Sequence, residues 1–385
     1  MSKHDFPSEE FTARQARARD AIGAAGLDWL IVIHPMSLHW LIGTEAKSYQ
    51  AFQCLLFSAK PGPLVVLTRH SERCEFVEDS LADEVIGWGG AEPEDPIEAF
   101  RVLADRLGLR GARVGLETPP YYLHPHQYVR VQDLLGRALV AEPSNLIHQL
   151  KQVKSPREIA LIRESARIAD VAMAACIGSV AEGRTELEVA AAVYQSLLSQ
   201  GSSLPSSAIN LVTGERCGFA HGAPTLRRLR RGDPGNVEFG AACKRYTKTI
   251  GRQFNLGPPS PRVRDIFAIV RAAFDACLAE IHDGVPAIVP HDAAKRVIAQ
   301  AGMDRYRLHT TGYSIGAGVP PSWGEPLNMF GGSKDVLRAG MVVSIEPPVF
   351  IAEERIGARI IDNVLVTESG AELLSGYTRD LIVVD

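Results

Sequence analysis

Cysteine is scarce in this chain. Its six cysteines, Cys54, Cys74, Cys176, Cys217, Cys243 and Cys277, lie far apart and form no CxxC pair. That spacing argues against both a thiolate metal cluster and a disulfide framework. Long apolar runs are missing too: no segment reaches the roughly 18 residues needed to cross a bilayer. Neither sign of charge is in excess, with 41 Lys plus Arg against 45 Asp plus Glu and a net charge of −4. The protein therefore has no general attraction for nucleic acid or an anionic membrane. One short basic run, Arg227-Arg228-Leu229-Arg230-Arg231, reads as a solvated turn or a subunit edge. The opening MSKHDFPSEEFTARQARARD has no apolar signal-peptide core. The expectation is a reduced, cytoplasmic protein.

What is present is ordinary for a globular enzyme: 46% hydrophobic and 22% charged residues over 385 positions. That length predicts two domains, an α/β amino-terminal domain over 1–150 and a second over 151–385. In the first, a helix over Arg14–Gly26 leads into a buried strand at Leu27–Ile33. Further strands are expected at Gln53–Phe57, Leu64–Leu67 and Arg113–Glu117. The second domain opens at Ser155, which can cap a helix with Pro156 in its first turn. Ile159, Ile162, Ala166, Ala169, Met173 and Cys176 then form one apolar stripe. Helices follow over Glu186–Leu198, Pro261–Glu280 and His291–Gly302. Between and after them, Val342–Ile345, Arg359–Ile361, Asn363–Val366 and Leu381–Val384 suit a curved, mostly antiparallel sheet.

Five segments in order, KSPREIALIRESARIAD, VEFGAACKRYTKTIGRQF, TGYSIG, AGMVVSIEPP and GARIIDNVLVTESG, carry a resemblance over nearly the whole chain. They resemble the creatinase/aminopeptidase-P superfamily, with a creatinase-like amino-terminal domain followed by a pita-bread catalytic domain. Peptidases of that superfamily hold two metal ions with two Asp, one His and two Glu. Carried over by motif position, those ligands fall on Glu238, Thr249, Tyr313, Glu346 and Ile361. Thr249 lacks the bridging charge and Ile361 has no donor atom, so the resemblance implies no metal cofactor. Bound Mn, Zn or Co is the alternative. The nearer likeness is taken to be to ectoine hydrolases, on VEFG, Arg245-Tyr246, GYSIG and PPSWGE. In the first domain, Trp40–Gly43 with Ser48-Tyr49 and Gln53-Cys54 stands where such relatives place an active-site loop. This chain departs from them around Ala46, Lys47 and Ala51.

The activity implied is metal-independent hydrolysis of a C–N bond in a small polar nitrogen-containing substrate, a cyclic amidine or amidino compound. Its alternatives are a creatinase-like amidinohydrolase, a divergent metal-dependent Xaa-Pro aminopeptidase and a non-catalytic small-molecule-binding protein. His221 matches the family's pocket histidine and would take a proton from water and return one to the leaving nitrogen. Glu346 would orient or share that proton, and Glu238 would pair with the substrate cation. Tyr313 either donates to the tetrahedral centre or packs its ring in the core. Trp323 and Glu325 either close the pocket or belong to a rigid Pro-rich turn. Arg252 would neutralise a carboxylate or support the glutamates. His309 and Asp362 are outer candidates, and Tyr49 belongs to the loop that resembled dimers reach across to a neighbour. A homodimer is expected on that ground.

Overall fold

The structure, a computed structural model, describes residues 2–45 and 47–385. Ala46, one of the departures named above, lies outside the described residues. Contacts divide the chain into two compact units, the first ending at Lys151 and the second covering Gln152–Asp385.

The first unit is a mixed sheet with helices α1 (Ser8–Ala24), α2 (Pro35–Ile42), α3 (Arg73–Asp79), α4 (Pro96–Arg106), α5 (Pro125–Leu135) and α6 (Leu146–Lys151). Its strands are β1 (Trp29–Val32), β2 (Cys54–Ser58), β3 (Val65–Arg69), β4 (Glu84–Trp88), β5 (Val114–Leu116) and β6 (Leu139–Ala141), in the order β4-β3-β2-β1-β5-β6. The stretch Trp40–Gly43, expected in a loop, instead ends α2. Trp40 is buried in this unit's core, and Gly43 stops the helix at φ 87°, a left-handed conformation suited to glycine. Tyr49 is half-buried, its ring edge-on to Tyr122 at 5.5 Å.

In the second unit, helix α7 (Pro156–Ser179) starts as its sequence requires. Ser155 accepts from the Glu158 amide while the Glu158 carboxylate accepts from the Ser155 amide. The same reciprocal cap, Thr185 with Glu188, opens α8 (Glu186–Ser199). Helices α9 (Pro261–Ala279) and α10 (Ile288–Gln300) follow.

The strands of the large sheet are β7 (Asn210–Thr213), β8 (Pro234–Cys243), β9 (Tyr246–Leu256), β10 (Gly312–Val319), β11 (Ser322–Met329) and β12 (Val342–Ile345). After the small hairpin β13 (Val349–Ile351) and β14 (Ile356–Ala358) come β15 (Asp362–Val366), β16 (Ala371–Leu373) and β17 (Ile382–Val384). The large sheet runs β16-β15-β12-β10-β9-β8-β7, with β11 beside β10 and β17 beside β9. Among the described pairings of this unit, β17 with β9 is the parallel one and the rest are antiparallel. This is the pita-bread architecture, α/β overall. Arg359–Ile361, expected as a strand, is the irregular passage between β14 and β15.

The register of the β8–β9 hairpin decides which side chains face the site. Glu238 stands opposite Gly251 and Gly240 opposite Thr249, so these share one face. Val237, Phe239 and Ile250 take the other face, where they pack with α7 and α8 residues such as Ala169, Met173 and Val193. Helices α9 and α10 cover the other half of the sheet, with Phe274 and Ile298 packed near Val343 and Val364.

Candidate active site

Glu238, on β8, is buried and bonded through its Oε2. Its carboxylate accepts from Asn210 Nδ2 at 2.9 Å, across the strand pair, and from Arg359 Nη1. The other guanidinium nitrogen of Arg359 donates to the Ala220 carbonyl, which ties the His221 loop over the same cation. His221 itself is exposed, its ring 5.3 Å from that of His309. Burial first, and the charges of Arg359 and His221 after it, lower the pKa of His309.

Glu346 follows β12 and is also buried. Ser344 Oγ donates to its Oε1 at 3.1 Å, and the Tyr313 hydroxyl donates to the same carboxyl group. Desolvation, joined by the nearby negative charge of Glu238, pushes the Glu346 carboxyl up to about 8. Trp323 Nε1 donates to Tyr313 Oη at 2.9 Å, so the tyrosine bridges the indole and the carboxyl. Glu346, Glu238, Tyr313, Trp323 and His309 are thus brought together, with His221 at the edge.

The Trp323 ring lies against the hairpin floor. A Cβ added at Gly240 would sit 3.0–3.2 Å from the ring. Gly240→Ala is expected to displace the indole, change tryptophan fluorescence and cost about 1–3 kcal/mol in denaturant unfolding. Native-like fluorescence and stability would refute that packing role.

Three nominated residues have structural duties instead. Glu325 is buried in an ion pair with Lys154 Nζ at 2.6 Å, locking the start of the second unit to β11. Arg252 and Asp362 lie on the opposite face of the hairpin from Glu238, since Arg252 pairs with Val237. Arg252 Nη2 meets Asp362 Oδ2 at 3.0 Å and its Nη1 donates to the Ile361 carbonyl at 2.9 Å. They hold up the floor of the site without lining it. Tyr49 belongs to the first unit. The basic run is largely solvated, with Arg228, Arg230 and Arg231 exposed, while Arg227 bonds Glu215 and Asp233 at 2.7 Å each and Arg228 donates to the Gly183 carbonyl.

Sequence reasoning missed Arg359, Asn210 and Ser344 as parts of the site. Arg359 had a signal, a lone cation in the apolar stretch Ala358–Ile361. Asn210 had none, because its importance depends on the pairing of β7 with β8, whereas Ser344 stands two residues before Glu346.

The second unit has the pita-bread architecture, and a buried carboxylate pair, Glu238 and Glu346, marks its candidate site. Residues 160–368 match the model of metallopeptidase family M24, and residues 14–153 match the creatinase/prolidase amino-terminal domain. The chain belongs to metallopeptidase family M24. It is 30% identical to the probable dipeptidase PepE of Mycobacterium tuberculosis, over 100% of this chain and 99% of that protein. It is 29% identical to the Xaa-Pro dipeptidase of Pyrococcus horikoshii over 76% of this chain and 81% of that one. The crystal structure of dipeptidase PepE from Mycobacterium ulcerans superposes with a TM-score of 0.85 at 28% identity, covering 98% of this chain and 99% of that chain.

These relatives correct the reading of the sequence. The ectoine hydrolase of Halomonas elongata matches at 26% over 98% of each chain, below the dipeptidase, so the nearer likeness is not to ectoine hydrolases. Dipeptidase relatives point to a peptide bond rather than to a cyclic amidine or other non-peptide C–N bond. Membership of a metallopeptidase family also overturns the expectation of a metal-independent enzyme without a cofactor, and favours a divalent ion.

The residues of this chain do not fit the five-ligand, two-ion centre. Thr249 is committed to Asn363, accepting from its Nδ2 at 2.9 Å and donating its own amide N–H to Oδ1 at 2.7 Å. Ile361 presses its side chain on Gly251, within 2.8–2.9 Å of where a Cβ would stand. The Arg359 cation already neutralises Glu238. Among the described residues, no group of three or more His, Cys, Asp or Glu is placed to hold a metal ion.

Proposed function

We propose that this chain hydrolyses the amide bond of short, dipeptide-sized substrates, with Xaa-Pro dipeptides as the first candidates. The supporting observation is the 30% identity with a probable dipeptidase along the full length of both chains. In this reading Glu346, protonated at neutral pH, delivers a proton to the leaving nitrogen, and Tyr313 keeps it aimed. The Glu238–Arg359 pair sets the polarity of the floor, and Arg359 polarises the substrate carbonyl. His221 and His309 take and hold the proton of the attacking water at the mouth. A homodimer to which the first-domain loop around Tyr49 contributes belongs to the same proposal. Analytical ultracentrifugation checks it, and a monomer at micromolar concentration would refute it.

A second reading is favoured by Thr249 and Ile361: a protein that binds peptides in this pocket without turning them over. One experiment separates the two. The full chain, chelator-treated or supplied with Mn²⁺, is offered a panel of Xaa-Pro and other dipeptides while amine release and calorimetric binding are followed. The expected result is amine release from at least one dipeptide, abolished in Glu346→Gln. Binding without release supports the second reading, and neither binding nor release overturns both.

A further inference from the structure

The first unit carries a cavity of its own, about 630 Å³ in volume, at the carboxyl ends of β3 and β4. These strands pair in parallel, with Arg69 opposite Trp88 at their last position. Open α/β sheets bind small ligands outside the carboxyl ends of their strands. Two loops frame the opening, and both are pinned. Arg69 Nη2 donates to Ser48 Oγ at 2.9 Å and to Glu72 Oε1 at 3.2 Å. On the other side, Glu94 Oε2 accepts from the Gly89 amide at 2.6 Å and closes the loop that follows β4. Trp88 is half-buried, and its Nε1 donates to the Phe52 carbonyl at 2.9 Å, which fixes the indole.

The lining carries both signs of charge: Arg69 with His70 against Glu92 and Glu94, beside the apolar surfaces of Trp88 and Pro93. Arg69 Nε is buried without a hydrogen-bond partner among the described residues. A buried donor left unpaired is costly, so this nitrogen calls for an acceptor. Glu94 is committed to Gly89, whereas Glu92 is exposed and offers its carboxylate to a cation. A plain anion would meet the charge of the two glutamates. A plain cation would leave Arg69 Nε unpaired and face its guanidinium. A zwitterion answers both, and the indole takes an apolar body between its charged ends.

We propose that this cavity binds a free amino acid with an apolar side chain, its carboxylate on Arg69, its ammonium on Glu92 and its side chain against Trp88. The site is built from first-unit residues alone and shares none with the Glu238 and Glu346 site of the second. It goes beyond dipeptide hydrolysis and does not depend on it.

The test measures binding to the full chain by calorimetry for L-leucine and L-phenylalanine, each also acetylated at its nitrogen or amidated at its carboxylate. A free amino acid should bind about tenfold or more tighter than either capped form, because each cap removes one charge-assisted contact. Arg69→Met should abolish the advantage over the amide, and Glu92→Gln the advantage over the acetylated form. Thermal melting shows which variants are folded. Glu92 is exposed, so its variant keeps the test decisive even where the loss of Arg69 and its bond to Ser48 unfolds the first unit. Absence of binding by both amino acids overturns the site. So does an equal affinity for free and capped forms. Binding that persists unchanged in the folded variants places the amino acid elsewhere and overturns it as well.

Discussion

Replacing Asp362 by alanine is expected to cost about 3–5 kcal/mol of folding stability, measured as a fall in the denaturant midpoint. Asp362 is fully buried and meets two buried cations, Lys248 Nζ at 2.9 Å and Arg252 Nη2 at 3.0 Å. Arg379 approaches at 3.4 Å from a partly exposed position. Burial lowers the pKa of both Lys248 and Arg252, and the Asp362 charge opposes that effect in each. Without it, two desolvated cations face each other with no compensating charge. Asp362→Asn, which keeps the shape and removes the charge, should lose nearly as much. Arg379→Ala should lose less than about 1 kcal/mol because its contact is longer and wetter. A loss below about 1 kcal/mol for Asp362→Ala would show that the network is dispensable.

The effect should reach the active site without any direct contact. Arg252 bonds the Ile361 and Gly251 carbonyls, and Lys248 Nζ bonds the Thr249 carbonyl at 2.7 Å. The rear network thus fixes the backbone of the strands whose front face carries Glu238 and Thr249. Arg252 neutralises a carboxylate, that of Asp362, and both act from the face opposite Glu238. Composition and motif position said that they lie near the site. Only the β8–β9 register, with Val237 opposite Arg252, says on which side.

That distinction describes how far the sequence could be read. Features set by a few neighbouring residues were legible: the Ser155 cap of α7 and the strand Val342–Ile345. Features set by distant partners were not. Lys154, read as part of a helix entrance, neutralises Glu325 from 171 positions away. Arg359 was read within a strand, yet it leaves the sheet to reach Glu238 and the Ala220 carbonyl. The half-exposed strand β6 is only three residues long, and the mostly half-exposed β4 mixes Glu84 and Gly87 with its apolar residues, so neither stands out as a strand. The substrate class was misjudged for a related reason. Losses at Thr249 and Ile361 are local, whereas the similarity to dipeptidases extends over the whole chain.

Glu346→Gln is the second substitution with a large expected effect, and it acts on activity and stability in opposite directions. Glutamine keeps an acceptor for Ser344 Oγ and the volume of the side chain, but it cannot give up a proton as an acid. If proton delivery to the leaving nitrogen depends on this group, kcat should fall by about 10²–10⁴-fold with the fold intact. The pH dependence of stability has a definite sign. An unfolded glutamate titrates near 4.3, whereas burial and Glu238 raise this one to about 8 in the folded protein. Between those values the folded state binds the extra proton, so stability declines as pH rises, and above about 8 the full cost of a buried charge is present. Each tenfold difference in proton affinity is about 1.4 kcal/mol, so the cost at pH 9 is on the order of a few kcal/mol. The glutamine variant carries no such term. Its melting temperature should therefore match the parent near pH 5 and exceed it by several degrees at pH 9, while the parent's activity declines above about pH 8. Parallel melting curves for the two proteins from pH 5 to 9 would show that Glu346 is ionised throughout, and would remove it as the proton donor.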